Sequence, residues 1–399
     1  MSVVSAIGTY LPPWGTDRAR VPGVDEDAIT LAVEAGTAAL AGQAVVTQVV
    51  LVTRDVPLLE GGSGAVLLAG LGLDPDIEVS ERLGGAPAAL DAITSARPHA
   101  LIIAVDLAPA GAVAVVIGGA GVEVHPAKRL ARSLPVRTRD SRGSVHNYGD
   151  PRLLRESGVQ ASIRAAEMDV PVVVAGLDHK QAKTLSRGTG PELPTAGASA
   201  ALFGLAHMVE SGMEGTLLAV EQATITGVVV DTGAAVPIVR NEPEPRPVPK
   251  VTVASGGEIP ISLAAYARAF DAKLRWRASR NPETGELDFP PRLSVDDRGR
   301  LLGEGAELVD LPRTGTVYTS VTVHVPVPGL PSPYSLVIVE LDGVGVRALV
   351  KTTGGLPGAV GIGDRGRLVL RRVAVRSGVP DYGYAFLGNQ VNEIEEEVA

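Results

Sequence analysis

Residues 86–117 are APAALDAITSARPHALIIAVDLAPAGAVAVVI, and this stretch decides the class of the first domain. It predicts a helix over residues 86–94, followed by two apolar strands at 101–106 and 113–117. On both sides of it, residues 1–240 alternate strand and helix signals, as is typical of an α/β layered domain. The order of elements before residue 150 is repeated after it, which indicates an internal duplication.

The pattern changes near residue 241. Residues 241–250, NEPEPRPVPK, contain four prolines and favour an extended, semi-rigid spacer. From residue 314 onward, short strands with polar turns follow one another closely, as suits a small all-β barrel. The predicted division is an α/β domain at 1–240, a linker at 241–254, a helix and an irregular segment at 255–313, and a barrel at 314–399.

The composition limits the possible functions. The net charge of −9 argues against a general nucleic-acid role, because such proteins normally carry a basic face. The chain has no cysteine, which excludes disulfides, thiolate zinc sites and a cysteine nucleophile. The longest apolar runs are too short to span a bilayer, and the first ten residues show no signal-peptide pattern. We therefore expect a cytoplasmic protein without a membrane span.

Four short segments in a fixed order carry a resemblance: IGTYLPP at 7–13, DEDA at 25–28, LGGAPAAL at 83–90 and PTAGAS at 194–199. Together they resemble the 3-hydroxy-3-methylglutaryl-CoA synthase and β-ketoacyl synthase III branch of the thiolase superfamily. The resemblance implies a thiolase-like fold with duplicated halves. It also implies a thiolate at the N-terminus of a buried helix, where the helix dipole and backbone amides would lower the pKa of the thiol. In the second segment, Asp25 or Asp27 could cap the first helix.

The residues that the resemblance requires for this chemistry are replaced. Aligned on the two glycines at 84–85, the nucleophile position falls at Arg82, give or take one residue. Arg54 stands where the general-acid glutamate is expected, with Asp55 beside it as a possible displaced carboxylate. His179 lies close to the expected catalytic histidine, either as a retained base or CoA contact or as a surface residue at a turn. The family's asparagine would fall near residue 194 or 195, where none is present.

A basic run begins at residue 128 in an otherwise acidic chain. Lys128, Arg129 and Arg132 are its first members, and Arg137, Arg139 and Arg142 continue it. These cations are candidates for binding the phosphates of CoA or for docking to an acidic partner. A solvated basic loop is an equally good interpretation of the pattern.

The second part of the chain carries its own resemblance. RWRAS at 275–279, FPPR at 289–292 and GTVYTSVTV at 315–323 resemble the acyl-CoA-associated OB-fold family, which has a rubredoxin-like zinc ribbon ahead of its barrel. Structural zinc needs four Cys or His ligands, and residues 275–300 contain neither type. We therefore expect no zinc, and a ribbon segment held by packing of Trp276 against Phe289.

The two resemblances together imply a pseudoenzyme. They predict a non-catalytic accessory or scaffold subunit of an acyl-CoA thiolase or thiolase-like aldolase complex in lipid, sterol or aromatic metabolism. The expected partner is a separate thiolase or thiolase-like subunit, bound to a homodimer core of this chain. Two alternatives stay open: an acyltransferase or hydroxymethylglutaryl-CoA synthase-like enzyme without a cysteine nucleophile, and an acyl-CoA binding module. CoA or acyl-CoA is the expected ligand.

Overall fold

The computed structural model describes residues 1–389 except 43, 59, 133, 135–136, 141–142, 189, 255–259, 261, 283, 292–293, 296–300, 303–306, 326–327 and 329. Its α-helices are α1 (Ala28–Ala39), α2 (Gly64–Leu71), α3 (Ala86–Thr94), α4 (Pro151–Ser157), α5 (Val159–Ala166), α6 (His179–Leu185), α7 (Ala198–Glu210) and α8 (Leu263–Lys273). Within these described ranges, no helix has the length and apolar character needed to cross a bilayer.

The strands of the first 250 residues are β1 (Ser2–Tyr10), β2 (Trp14–Thr16), β3 (Ala19–Val21), β4 (Gln48–Thr53), β5 (Glu78–Leu83), β6 (Ala100–Leu107), β7 (Ala110–Ile117), β8 (Val122–Leu130), β9 (Arg137–Arg139), β10 (Val145–Asn147), β11 (Val173–Ala175), β12 (Gly215–Glu221), β13 (Thr224–Asp231) and β14 (Ile238–Asn241). Those that follow are β15 (Thr252–Val253), β16 (Arg277–Arg280), β17 (Leu287–Asp288), β18 (Ser294–Val295), β19 (Leu301–Leu302), β20 (Glu307–Asp310), β21 (Thr314–Val323), β22 (Pro331–Ser332), β23 (Tyr334–Leu341), β24 (Arg347–Thr352), β25 (Arg365–Arg376) and β26 (Val379–Gly388).

The chain divides into two compact units, and the first comprises residues 1–21, 31–64 and 75–245. Its centre is a ten-stranded sheet in the order β11-β12-β13-β8-β1-β7-β6-β4-β5, with β14 pairing alongside β1. The sheet mixes parallel pairs, such as β4 with β5 and β6, with antiparallel ones, such as β6 with β7. The α/β layered class predicted from residues 86–117 is therefore confirmed, and the predicted helix there coincides with α3.

The internal duplication is visible in the connections of this sheet. In the first half, β5 leads through α3 to β6, which turns back antiparallel into β7. In the second half, β11 leads through α6 and α7 to β12, which turns back antiparallel into β13. Strand, buried helix, strand and hairpin thus occur twice, so α3 and α7 occupy equivalent places in the two halves.

The core of the first unit is built around α3 and α7. Ten of the 13 residues of α7 are buried, and most are Ala, Gly, Ser or Leu. Small side chains let the helix approach the sheet closely: a Cβ at Gly204 would lie 3.0 Å from Val173 and 3.1 Å from Leu217. The core has few aromatic side chains to fill the space between helix and sheet. It is instead packed densely because the helix backbone lies close to the strands.

The second unit comprises residues 22–30, 65–74 and 246–399. Its strands β21-β23-β24-β26-β25 form a closed barrel, in which only β24 and β26 run parallel among the paired strands. Alternate side chains, including Val317, Val337, Val339 and Phe386, are almost fully buried in its interior, as expected for a small filled barrel. The predicted all-β barrel is thus present.

Residues 22–30 belong to the barrel unit through buried polar contacts. The ion pair between Glu26 and Arg371 spans 3.4 Å, and both side chains are at most 3% exposed. The hydroxyl of Tyr382 donates a 2.8 Å hydrogen bond to Asp27, which also accepts the amides of residues 29 and 30 at the start of α1. Of the two predicted capping candidates, Asp27 is the residue that caps this helix.

Candidate functional site

The buried helix of the first half begins at Ala86. Gly85 is its N-cap, a proline follows in its first turn, and Ala86 is 1% exposed. Arg82 lies four residues earlier, within β5, and its exposed side chain reaches Ser95 at 3.5 Å. Leu83, at the end of the same strand, is 74% exposed. The structure therefore does not bring Arg82 to the start of the helix.

Arg54 does lie at the start of α3, as the partner of an acidic residue. Glu221 accepts the Gly85 N–H through Oε2 at 2.9 Å. Arg54 donates to the other oxygen, Oε1, from Nε at 3.1 Å and Nη2 at 2.5 Å. A Cβ at Gly85 would lie 2.3 Å from Nη2 of Arg54, so a larger residue would require the guanidinium to shift. The helix end, which attracts anions through its dipole and free amides, holds an internal carboxylate.

A second carboxylate occupies the same place in the other half. Asp106 accepts the Ala198 N–H and the Ser199 N–H at the start of α7, both at 2.8 Å. The Ser199 hydroxyl donates to Asp106 at 2.6 Å and lies 2.8 Å from the hydroxyl of Thr195, one of the two positions expected for the family's asparagine. Burial raises the pKa of Asp106, while the hydrogen bonds from Ser199 and Ala198 act in the opposite direction.

The two carboxylates form a reciprocal arrangement. Asp106 lies near the end of β6, in the first half, and binds the start of α7 in the second half. Glu221 ends β12, in the second half, and binds the start of α3 in the first half. The sequence patterns predict neither residue as part of a site. The one available signal is that each carboxylate ends a long apolar strand.

The predicted histidine lies away from this cluster. His179 is the exposed first residue of α6, directly after the N-cap Asp178. Gly176 is the residue of this loop that reaches α3: a Cβ at this glycine would lie 3.1 Å from the Cβ of Ala86 and 1.9 Å from the carbonyl oxygen of Val220. With φ at +90°, this position favours glycine. The structure therefore brings a glycine, and not the imidazole of His179, to the start of α3.

Two side chains of the basic run have partners within the fold. Arg129 donates to both oxygens of Asp91, at 3.0 and 3.2 Å, and Arg132 donates to Ser162 at 3.0 Å. Lys128 lies exposed on β8. Arg142 and the side chain of Arg139 lie outside the described residues. Two of the three CoA-phosphate candidates are thus committed to neighbours in the fold.

The segment that resembles a zinc ribbon is held by aromatic packing. The ring of Trp276 meets Phe289 edge to face at 4.8 Å and Tyr384 at 5.2 Å. Its indole N–H donates to the carbonyl oxygen of Pro312 at 3.2 Å, and the residue is 5% exposed. The predicted packing of Trp276 against Phe289 is confirmed. In the part of the chain that the structure describes, no three His, Cys, Asp or Glu side chains converge as metal ligands.

Comparison with known proteins identifies the barrel. Residues 308–371 match the family model described as "ChsH2, C-terminal OB-fold domain". This range begins in β20 and ends within β25, so it includes four of the five barrel strands wholly or in part. No curated protein matches the chain.

Among solved structures, 3-oxoacyl-(acyl carrier protein) synthase III from Pseudomonas aeruginosa is similar over 62% of this chain and 99% of its own, at 18% identity and a TM-score of 0.45. The corresponding synthase from Aquifex aeolicus is similar over 58% of this chain and 99% of its own, at 14% identity and a TM-score of 0.44. A variant of OleA from Xanthomonas campestris is similar over 58% and 98%, at 12% identity and a TM-score of 0.47. The structure confirms the predicted class as an α/β domain with two similar halves followed by a closed barrel, part of which matches an OB-fold family model.

Proposed function

We propose that this chain is a non-catalytic accessory or scaffold subunit of an acyl-CoA thiolase or thiolase-like aldolase complex. One observation carries the proposal: Glu221 occupies the start of buried helix α3 and Arg54 holds it there. In the family that the sequence resembles, this helix end activates the nucleophile. The substrate class is an acyl-CoA of lipid, sterol or aromatic metabolism.

The charge at this helix end opposes thiolate chemistry. A nucleophilic thiolate needs the amides and the dipole of the helix to stabilise its negative charge. Here the Gly85 amide already binds Glu221, whose carboxylate would raise the pKa of a neighbouring thiol. Residues 81–83 are Glu, Arg and Leu, and the Glu81 carboxylate accepts the backbone N–H of Ser63 at 2.5 Å. None of these side chains supplies a nucleophile.

The groups for proton transfer are also committed elsewhere. The loop after β11 presents Gly176 to the start of α3, and His179 points from the exposed start of α6. Asp106 is engaged by two amides and one hydroxyl at the start of α7. A carboxylate in that arrangement fixes a helix and is not free to take a proton from a substrate.

A pseudoenzyme that keeps its fold can keep its assembly surfaces. The fusion of a thiolase-like domain to a domain of the ChsH2 OB-fold family supports a role beside a catalytic thiolase. The proposal therefore includes a homodimer core of this chain in a hetero-oligomer with a separate thiolase-like subunit in the cytoplasm. CoA or acyl-CoA is at most a ligand of this chain, and zinc is not part of it.

The test is co-expression with the thiolase-like protein encoded nearest to this chain, followed by native mass spectrometry and a thiolysis assay. We expect a stable hetero-oligomer whose activity depends on the presence of this chain, and no condensation or thiolysis by this chain alone. A lone homodimer beside a thiolase that is equally active by itself would refute the proposal.

A variant distinguishes scaffolding from hidden catalysis. Arg54→Ala removes the partner of Glu221 at the helix start. We expect the assembled complex to keep its thiolytic activity with this variant. A large loss of activity in an intact complex would show that the α3 site takes part in the chemistry.

A further inference from the structure

A partly open cavity of about 260 Å³ lies in the barrel unit, along one face of α8. Ala265, Ala269 and Phe270 line it at helical spacing, with Leu274 just after the helix. The strands β25 and β26 contribute Arg376 and Asp381 from the other side. The cavity is thus apolar along the helix and charged at one end.

Helix α8 covers this cavity only in part. Its N-terminus is well formed, because the Ser262 hydroxyl accepts the amide of Ala265 at 3.3 Å. Nevertheless, none of the 11 residues of the helix is fully buried. Apolar groups on the wall of a partly open pocket remain in contact with water, so a ligand with an apolar tail that covers them removes this area from water. An apolar cavity of about 150 Å³ already binds benzene, so 260 Å³ has room for roughly ten non-hydrogen atoms.

The charged end has more cations than anions. Lys273 donates to Oδ1 of Asp381, and Arg376 lies 3.3 Å from Oδ2 of the same carboxylate. The Asp381 side chain is 9% exposed, whereas those of Lys273 and Arg376 are 34% and 41% exposed. Asp271, the one acidic residue of α8, pairs with Arg275. Two cations therefore share one carboxylate, and both remain partly exposed.

A neutral donor completes this end. Tyr266 lines the cavity between the apolar wall and Asp381. Burial and the neighbouring Asp381 raise the pKa of Tyr266, so its hydroxyl keeps its proton. It is able to donate a hydrogen bond to an anionic headgroup beside the cations.

We propose that this cavity is a binding site for a small amphiphilic carboxylate, with the carboxylate at Lys273 and Arg376 and an apolar tail along Ala269 and Phe270. A medium-chain fatty carboxylate matches the volume and the charge. The site goes beyond the proposed scaffold function and does not depend on it.

Titration calorimetry of the full-length chain with octanoate tests the site. We expect saturable binding, and binding about tenfold or more weaker in Ala269→Trp, which fills the apolar wall and leaves both cations in place. Ala267→Trp is the matched control, because it adds the same ring to an exposed position of the same helix. Absence of binding, or equal loss in both variants, would overturn the proposal.

A second pair of measurements isolates the charge. Arg376→Gln keeps Asp381 paired with Lys273 and should weaken octanoate about tenfold, with little effect on neutral octanol. If circular dichroism shows that Ala269→Trp does not fold, Arg376→Gln alone tests the site. Octanol bound as tightly as octanoate by the unaltered chain would overturn the assignment of a carboxylate site.

Discussion

The start of α3 and the ribbon segment around Trp276 are the two places where the resemblances place chemistry, and the contacts that the structure shows there are of different kinds. At α3, an ion pair stands where a nucleophile is expected, with Arg54 45% and Glu221 31% exposed. In the ribbon segment, which resembles a zinc-binding family but has no Cys or His, a tryptophan that is 5% exposed packs against two aromatic rings. The contact at α3 is thus a partly exposed ion pair, whereas the contact in the ribbon segment is buried aromatic packing.

This difference follows from what each region must supply. A structural metal contributes folding free energy, so its loss needs another source of stability, and buried aromatic area supplies it. A catalytic nucleophile contributes little to the free energy of folding. In its absence, the start of the helix requires only a group that accepts hydrogen bonds from the free backbone N–H groups. We therefore expect the aromatic cluster to matter for stability far more than the ion pair.

The largest effect is expected from Trp276→Ala. Removing the indole empties the centre of the aromatic cluster and should lower the free energy of unfolding of the barrel unit by about 3–5 kcal/mol. Chemical denaturation followed by circular dichroism measures the change. Trp276→Phe is the control, because it keeps a ring and loses the N–H bond to Pro312, and should cost less. A loss under about 1 kcal/mol in the alanine variant would show that another element holds the segment.

A smaller effect is expected from Asp106→Asn. The amide group would face one of the two N–H donors at the start of α7 with a donor of its own, at a cost of about 1–3 kcal/mol. Because burial raises the pKa of Asp106, its ionisation opposes folding. The protonated carboxyl therefore stabilises the folded state fully below the ordinary aspartate pKa of about 3.9. This stabilisation is lost as the pH rises through the raised pKa of Asp106 in the folded state.

The stability advantage of the unaltered chain over Asp106→Asn should therefore shrink as pH rises from about 4. Denaturation of both proteins over a series of pH values measures this trend. An advantage that grows with pH would mean that the hydrogen bonds from Ser199 and Ala198 outweigh burial in setting the pKa of Asp106.

A still smaller effect is expected at the ion pair. Because both side chains are partly exposed, the coupling between Arg54 and Glu221 should be about 0–1 kcal/mol. A double-mutant cycle of Arg54→Ala and Glu221→Gln measures it, and added salt should weaken it further. Glutamine keeps an acceptor for the Gly85 amide, so the cycle isolates the charge. A coupling above about 2 kcal/mol would place the pair among buried structural charges and reverse the comparison.

The smallest effect on stability is expected from removing or adding metal ions. Because the ribbon segment is held by Trp276, Phe289 and Tyr384, neither a chelator nor added zinc should change the thermal unfolding of the chain. Differential scanning calorimetry of the purified protein in each condition checks this. A zinc-dependent rise in the unfolding temperature of the barrel unit would show that the segment still binds metal.

Much of the fold is predictable because its signals are local. The apolar runs at 101–106 and 113–117 correspond to β6 and β7, and the helix over 86–94 corresponds to α3 with the same bounds. The residue that aligns with the nucleophile is harder to predict from the sequence, because the two glycines at 84–85 do not define at which residue the helix begins. Pro87 is the local signal for that start, since proline suits the first turn of a helix.

The candidate site is only partly predictable. Arg54 is accessible from the sequence because it directly follows a recognisable strand. Glu221 and Asp106 are not, because their hydrogen bonds join positions 136 and 92 residues apart in the chain. No window of sequence contains both ends of such a contact, and a carboxylate at the end of a strand also occurs wherever a strand meets solvent.

The sequence alone determined the α/β class, the duplication, the barrel, and the absence of cysteine from both the nucleophile position and the ribbon. These follow from residue type and short-range periodicity. Only the tertiary structure decided what lies at the positions where the resemblance places chemistry: which carboxylate meets which helix end, and which residue of the loop after β11 approaches α3. The physical reason is that a helix dipole and the free amides at a helix start attract a carboxylate that lies nearby in space, however distant it is in sequence. The fold brings Asp106, near the end of β6, to the start of α7, and Glu221, at the end of β12, to the start of α3.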